Sequence, residues 1–414
     1  MFEATIRYNN FNDSEILKTV PECYDSLLIP GKMVSHSTKS LPTRIRNLVD
    51  DYGTSYYIDP TLPDFRIGNN FREDGQIKNW HVKYIDEIGA GLGDLLEQNG
   101  NVDASKITAE QREDIVRSAV RFQEQAIPNR IADNASKYED IENLSNYEPA
   151  AVIPWYHKIR SDDDVRINDH VLNVATDEAN LPLKPCIFVT QEYVQQLSGR
   201  QKILDILAEN NIEQCFIWIE DLDKRETGQQ VYKQIIEFVK SLSSAGIDSH
   251  FFYADYFATM ISHFGLKGAT YGSMYAEEAG EKETGTSGGG SMSRYYVEPI
   301  KDFLKIPAAV EIQQNADAPM CNCRVCSRQF ESWSDLIERK ESDENIQAPI
   351  KKHHLIMRWN QIQEVENQSL DETISNCKED FDDYIEPYNY SRQISPTKEP
   401  DYMPRWINAI RDSS

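Results

Sequence analysis

The sequence predicts an α/β protein whose strands close into an eight-fold, TIM-like (β/α)8 barrel. Two observations carry this expectation. Short apolar runs ending in polar, Gly or Pro residues recur along the first three quarters of the chain, and most are followed by helix-like stretches. The length, 414 residues, also holds a barrel of roughly 250 residues with insertions.

Eight runs read as strands: LLIP (27–30), SYYID (55–59), AAVIPWY (150–156), PCIFVTQ (185–191), QCFIWIEDLD (214–223), HFFYADY (250–256), GATYGSMY (268–275) and AAVEIQ (308–313). They are apolar throughout rather than alternating, as suits strands covered on both faces, and the helices between them imply parallel pairing through right-handed crossovers. In SLPTRIRNLVDDYG, Ser40 can cap a helix, Pro42 sits in its first turn, and Ile45, Leu48 and Val49 form one stripe. In TAEQREDIVRSAVRFQEQAIP, Thr108 and Gln111 make a capping box, and Ile115, Ala119 and Phe122 line one face until Pro128. Residues 129–149 read as a polar surface loop. The Gly/Ser-rich stretch 276–294, after the seventh run, is long enough for a lid over a site at the strand ends. Beyond Cys326 the pattern is helical and ends in a polar tail rich in Tyr and Pro.

Composition narrows the function. With 40% hydrophobic, 10% aromatic and 27% charged residues, the chain is globular rather than collagen-like or disordered. No window approaches the ~18 apolar residues of a membrane span and the first residues lack a signal-peptide pattern, so a cytoplasmic protein without a membrane partner is expected. A formal charge of −25 argues against non-specific adhesion to nucleic acid, although a basic groove can still be local.

Three of the seven cysteines fall within six residues, Cys321-Asn-Cys323-Arg-Val-Cys326, and His353-His354 follows 26 residues after the last of them. That clustering suits a metal rather than a disulfide framework. Zinc takes four tetrahedral N/S ligands, and three thiolates with one imidazole form a closed, structural set. The fourth ligand is His353 or His354, opening a helix in which Leu355, Trp359, Ile362 and Glu366 recur at helical spacing. The expected organisation is an N-terminal extension (1–23), a barrel (24–319), a zinc-binding insertion (320–370) and a C-terminal tail (371–414).

C-x-C-x-x-C, about 26 residues and a His opening a helix, near the end of a barrel-like chain, resembles the tRNA-guanine transglycosylase family over residues 24 to 370. In that family the His stands two residues before a Leu, which makes His353 the ligand beside Cys321, Cys323 and Cys326. The resemblance implies exchange of a guanine in nucleic acid for a 7-deazaguanine base. One Asp acts as nucleophile on the ribose C1′ and another moves protons. Breaking an N-glycosidic bond builds oxocarbenium character that a carboxylate must stabilise or trap.

By position Asp59 matches the proton-transfer Asp, although Pro60-Thr61-Leu62 replaces the family's Ser-Gly-Gly. Gln191 matches a Gln that hydrogen-bonds the purine. Glu220 and Asp221 stand where the family has Gly-Gly, and the strand that should carry the nucleophile, with Gly272, holds no carboxylate. Asp221 and then Asp255 are the candidates for that role, against helix caps or loop salt bridges as the alternative for all three acids. Tyr156 is a candidate to stack a flipped base, with core packing as its alternative.

The missing tRNA-type segments make the chain most similar to the divergent branch that inserts 7-cyano-7-deazaguanine into DNA. A tRNA enzyme and a catalytically inactive partner subunit are the alternatives. DNA, a 7-deazaguanine base, and partner proteins or a homodimer are the expected partners, with Arg324, Arg328, Lys351 and Lys352 as possible phosphate contacts.

Overall fold

A computed structural model describes residues 1–8, 13–134, 143–272, 293–342, 345–391 and 400–414. Its centre is one curled sheet of seven parallel strands: β1 (Glu3–Arg7), β2 (Ser26–Pro30), β3 (Ser55–Asp59), β4 (Cys186–Val189), β5 (Gln214–Ile219), β6 (Asp248–Phe251) and β7 (Leu266–Gly272). They lie in the order β3-β2-β1-β7-β6-β5-β4.

The extended segment 150–159 spans the two edges. Val152 bridges to Ile58 of β3 and to Leu183 just before β4, and Ile159 bridges to Val189. Pro154 has no N–H, so this segment cannot hold a regular ladder. Gln123, from the helix Ala109–Asp133, supplies the missing pairing. It donates to the Ile153 carbonyl (2.8 Å) and accepts the Ile153 N–H (2.9 Å).

Three expectations need correction. Residues 3–7 are no extension: β1 lies between β2 and β7 in the middle of the sheet. Its side chains alternate, with Ala4 and Ile6 in the apolar core while Thr5 bonds Ser26 and Arg7 meets Asp59. The run 308–313 is not a strand but part of the helix Ile306–Asn315, which Pro307 opens in its first turn. The last residues are no loose tail, because the helices Leu370–Asn389 and Tyr402–Arg411 pack onto the body. Trp406 is wholly buried there, and Arg405 donates to the carbonyls of Lys224 (3.2 Å), Arg225 (2.9 Å) and Thr227 (2.8 Å), tying down the loop after β5.

The helix Ser40–Tyr52 forms with Ile45 and Leu48 buried and ends on Gly53, whose φ of 66° favours glycine. The capping box of Thr108 and Gln111 is present, but that helix continues through Pro128 to Asp133. The stretch 276–294, but for its last two residues, lies outside the described residues, as do residues 135–142 of the loop 129–149.

Two packed layers result. One apolar core fills the space between sheet and helices, and a second, aromatic cluster of Tyr57, Tyr156, Phe188, Phe216, Trp218 and Phe252 fills the curl of the sheet. At the strand N-terminal end of that curl, Glu3 accepts from Ser26 Oγ (2.6 Å), Tyr57 OH (3.0 Å) and Lys184 Nζ (3.1 Å). Burial opposes its charge, but Lys184, His250 and the Ser26 hydroxyl outweigh that and hold the Glu3 carboxyl at about 2. No helix among the described residues is long and apolar enough to cross a membrane.

Candidate functional site

Arg7, Pro30 and Asp59 are the last residues of β1, β2 and β3, so the backbone brings them to one rim, the C-terminal face of the sheet. That is the face on which barrels build their sites. A cavity of about 400 Å³ opens there, and its lining includes Arg7, Lys32, Asp59, Asp64, Trp80 and Tyr156, with Trp218 and Tyr253.

Asp59 is 3% exposed and held from three sides. Its Oδ1 accepts the Tyr156 hydroxyl (2.9 Å) and the Thr61 N–H (3.0 Å), and its Oδ2 faces Arg7 Nη1 at 3.3 Å. Thr61 reaches back because it sits in the left-handed region, at φ 49°. Burial pushes the Asp59 carboxyl above the usual carboxylate range, and Arg7 with the two hydrogen bonds offsets only part of that. Arg7 itself is buried. Its Nη2 donates to the Phe252 carbonyl (2.9 Å), and its guanidinium lies 4.6 Å from the Phe252 ring centre and 4.1 Å from that of Tyr253. Trp218 stacks on Phe188 at 3.9 Å and meets Tyr253 at 5.0 Å, which makes a π wall.

Of the residues singled out from sequence, Asp59 and Tyr156 are brought together at this cavity. The other candidates are not. Asp221 follows β5 in an exposed turn at φ 50° and does not line the cavity. Its carbonyl and that of Glu220 accept from Gln191 Nε2 at 2.7 and 3.3 Å, so the Gln191 side chain is spent on the loop backbone. Glu220 pairs with Lys158 (2.8 Å). Asp255 caps the helix Tyr256–Met260 by accepting the Phe257 N–H (2.9 Å), the structural alternative for that residue. Gly272 ends β7 opposite Arg7.

Arg7, Lys32, Asp64, Trp80, Trp218 and Tyr253 were not singled out from sequence. Trp218 sits inside a recognised strand, and Asp64 follows Asp59 by five residues; spacing alone gave them no distinction.

The second constellation is a Cys3His cluster. Among the described residues, Cys321, Cys323, Cys326 and His353 place one ligand atom each within 4.8 Å of one another, so the four could hold a metal ion. His353 Nδ1 lies 3.5, 3.6 and 3.4 Å from the three sulfurs. A tetrahedral zinc ion with Zn–S of about 2.3 Å and Zn–N of about 2.0–2.1 Å has S···N edges of about 3.5 Å, so the donor set is compatible with zinc. The far nitrogen, Nε2, is 2.9 Å from the Tyr296 carbonyl, which fixes the tautomer that turns Nδ1 to the sulfurs. Tyr295 stacks on the His353 ring at 4.3 Å, while His354 packs against Phe303 at 4.5 Å.

The helix Gln347–Asn367 that carries His353 also touches the sheet. Arg358 lies over Tyr271 of β7, and Glu366 accepts the Phe2 N–H (2.5 Å) beside β1. Of the basic residues near the cysteine turn, Arg324 is paired with Glu22 at the surface, whereas Lys351 reaches inward to the buried Asp13 (2.9 Å), so both charges already have partners within the chain.

No family model and no curated protein matches this sequence. Solved structures that match include an intracellular xylanase from Thermoanaerobacterium saccharolyticum in complex with xylotriose, at 10% identity and a TM-score of 0.33, over 68% of this chain and 86% of that one. Another is an HpcH/HpaI aldolase from Desulfitobacterium hafniense, at 15% identity and a TM-score of 0.28, over 66% of this chain and 86% of that one.

Proposed function

We propose that this chain is a base-exchange transglycosylase on an eight-fold β/α barrel. It replaces guanine in nucleic acid, DNA in preference to tRNA, by a 7-deazaguanine base such as 7-cyano-7-deazaguanine. The observation that carries the reading is Asp59, a buried carboxyl at the floor of an aromatic-walled cavity of a volume that takes small ligands.

The chemistry needs a proton source for the departing purine and a sink for the proton of the entering one. A carboxyl raised by burial, yet oriented by Tyr156, Thr61 and Arg7, suits both halves of that exchange. Trp218 and Tyr253 offer π faces for a base taken out of its stack. None of the seven cysteines, all of them among the described residues, is in a disulfide, which fits a reducing, cytoplasmic setting.

Zinc is the metal we assign to the Cys3His cluster, in a structural role. With four protein ligands it has no open position, and it would pin the helix Gln347–Asn367 to the cysteine turn. None of its four residues lines the cavity, so it takes no part in the proton transfers.

The test is release of labelled guanine from DNA and from tRNA by the purified protein with 7-cyano-7-deazaguanine present. Release from DNA that Asp59→Asn abolishes supports the proposal, and release from tRNA alone moves the substrate. A well-folded wild type that releases nothing from either overturns the enzyme reading in favour of an inactive partner subunit.

A further inference from the structure

A base exchange that passes through a covalent glycosyl intermediate needs a second carboxylate, and neither Asp221 nor Asp255 reaches the cavity. We infer that Asp64 is that carboxylate: it lines the cavity five residues after Asp59, with one oxygen held by Lys32 and faced by His81 and the other left for the ribose C1′. This inference rests on the transglycosylase reading.

The local fold explains how two acids of one loop come to share a cavity. After β3 the chain turns at Thr61 and enters a single 3-10 helix, Leu62–Arg66, in which the Asp64 N–H returns to the Thr61 carbonyl (3.1 Å). Phe65, the next residue, is buried against Phe71 and Tyr84, which anchors that short helix and leaves Asp64 on its cavity side. Lys32 Nζ lies 2.5 Å and His81 Nε2 3.7 Å from the same oxygen, Oδ2. Among the described residues Oδ1 has no hydrogen-bond partner.

His81 is 1% exposed and neither ring nitrogen has a hydrogen-bond partner, so it is a buried polar group aimed at this carboxylate. The groups facing Asp64 are Lys32, His81 and Asp59, with Lys78 acting on His81 in turn. Burial opposes the Asp64 charge, but Lys32 and His81 hold the carboxyl below its ordinary value, whereas burial raises Asp59. Two carboxyls in one cavity pushed in opposite directions are the pattern of an acid/base and a nucleophile.

In the first half-reaction, Asp64 Oδ1 bonds to C1′ as the bond from C1′ to the purine N9 breaks. The bonding pair leaves with the purine, which takes a proton from Asp59. In the second, the entering base gives its N9 proton to Asp59 and bonds to C1′, and the ester bond to Asp64 breaks with its electron pair returning to the carboxylate. Protons and electrons balance, and no oxidant is needed. Lys32 and His81 are positioning residues here.

The experiment is denaturing capture of the full-length protein on a labelled oligodeoxynucleotide without added base, followed by peptide mapping, together with exchange kinetics of Asp64→Asn and Asp64→Glu. The expected adduct lies on Asp64. Asp64→Asn should lose at least about 10³-fold in kcat while its melting temperature and its binding of 7-cyano-7-deazaguanine stay near wild type; Asp64→Glu should recover part of the rate. An adduct on Asp221 or another acid, or an Asp64→Asn protein within tenfold of wild type, overturns the inference and leaves the transglycosylase reading standing. Absence of any exchange by the wild type overturns both.

Discussion

Replacing Arg7 by Met gives the sharpest test of how the site is built. Arg7 and Asp59 both have side chains less than a tenth exposed, at 7% and 4%, so their attraction is little screened by water. Arg7→Met keeps the apolar stem against Phe252 and Tyr253 but removes the cation opposite Asp59 and the donor to the Phe252 carbonyl. Breaking one partner of a buried pair costs about 3–5 kcal/mol, because the other charge stays buried and unpaired.

The pH dependence has a definite sign. The Asp59 carboxyl already lies above its ordinary range because of burial, and loss of Arg7 raises it further. A carboxyl raised in the folded state favours folding at low pH, and this contribution fades as pH rises from the unfolded to the folded value. The deficit of Arg7→Met should therefore be small near pH 4 and grow toward pH 8. Each further unit of upward shift adds about 1.4 kcal/mol to the deficit at high pH. Chemical denaturation of Arg7→Met, Asp59→Asn and the double variant measures the coupling directly. The double variant should recover much of the loss, since no buried charge remains. A single variant within about 1 kcal/mol of wild type at every pH would refute the ion-pair account.

Three further outcomes follow from other parts of the molecule. Chelation of the metal, or Cys326→Ser, should raise hydrogen exchange in residues 320–370 before the sheet melts, because metal affinity is folding free energy there; unchanged exchange would remove the metal clamp. Glu3→Gln should flatten the acid limb of the stability curve. Glu3 is held at about 2 against an ordinary 4.5, so its contribution is present above about pH 4.5 and lost as pH falls toward 2, as a pH series of denaturant midpoints will show. Trp406→Ala should cost about 3–5 kcal/mol by calorimetry, since that ring is wholly buried against Tyr232, Phe257 and Tyr402; a loss below about 1 kcal/mol would mean the last helix is not part of the body.

The parts of this architecture visible in the sequence were those whose apolar pattern is simple. Strands β2 to β5 and β7 overlap continuous apolar runs, as suits strands covered on both faces, and Asp59 is conspicuous as a carboxylate at the end of one, whereas β6 (DSHF) shares only His250 and Phe251 with the run that pointed to it. Strand β1 was hidden for the opposite reason. Its inward residues Glu3, Thr5 and Arg7 are polar and find polar partners within the curl, so five residues of the central sheet read as part of an N-terminal extension.

The run 308–313 misled because a short apolar stretch is the same for a buried helix and a buried strand; Pro307 was the available clue. Asp64 and Trp80 reach the cavity only through the turn at Thr61 and the elements that follow it, and Lys32 only from the short helix Gly31–His36 after β2. That proximity is tertiary and leaves no periodic trace. The cysteine cluster was legible because its ligands are close in sequence, whereas the choice between His353 and His354 depended on the family resemblance, and the geometry places Nδ1 of His353 among the sulfurs.

The most direct measurement is the nucleoside composition of duplex DNA after incubation with the purified protein and 7-cyano-7-deazaguanine, read by mass spectrometry. Appearance of the deazaguanine deoxynucleoside, matched by free guanine and absent with Asp59→Asn, is the predicted result. Only the four ordinary nucleosides, from a metal-loaded and folded protein that also leaves tRNA unchanged, would contradict it.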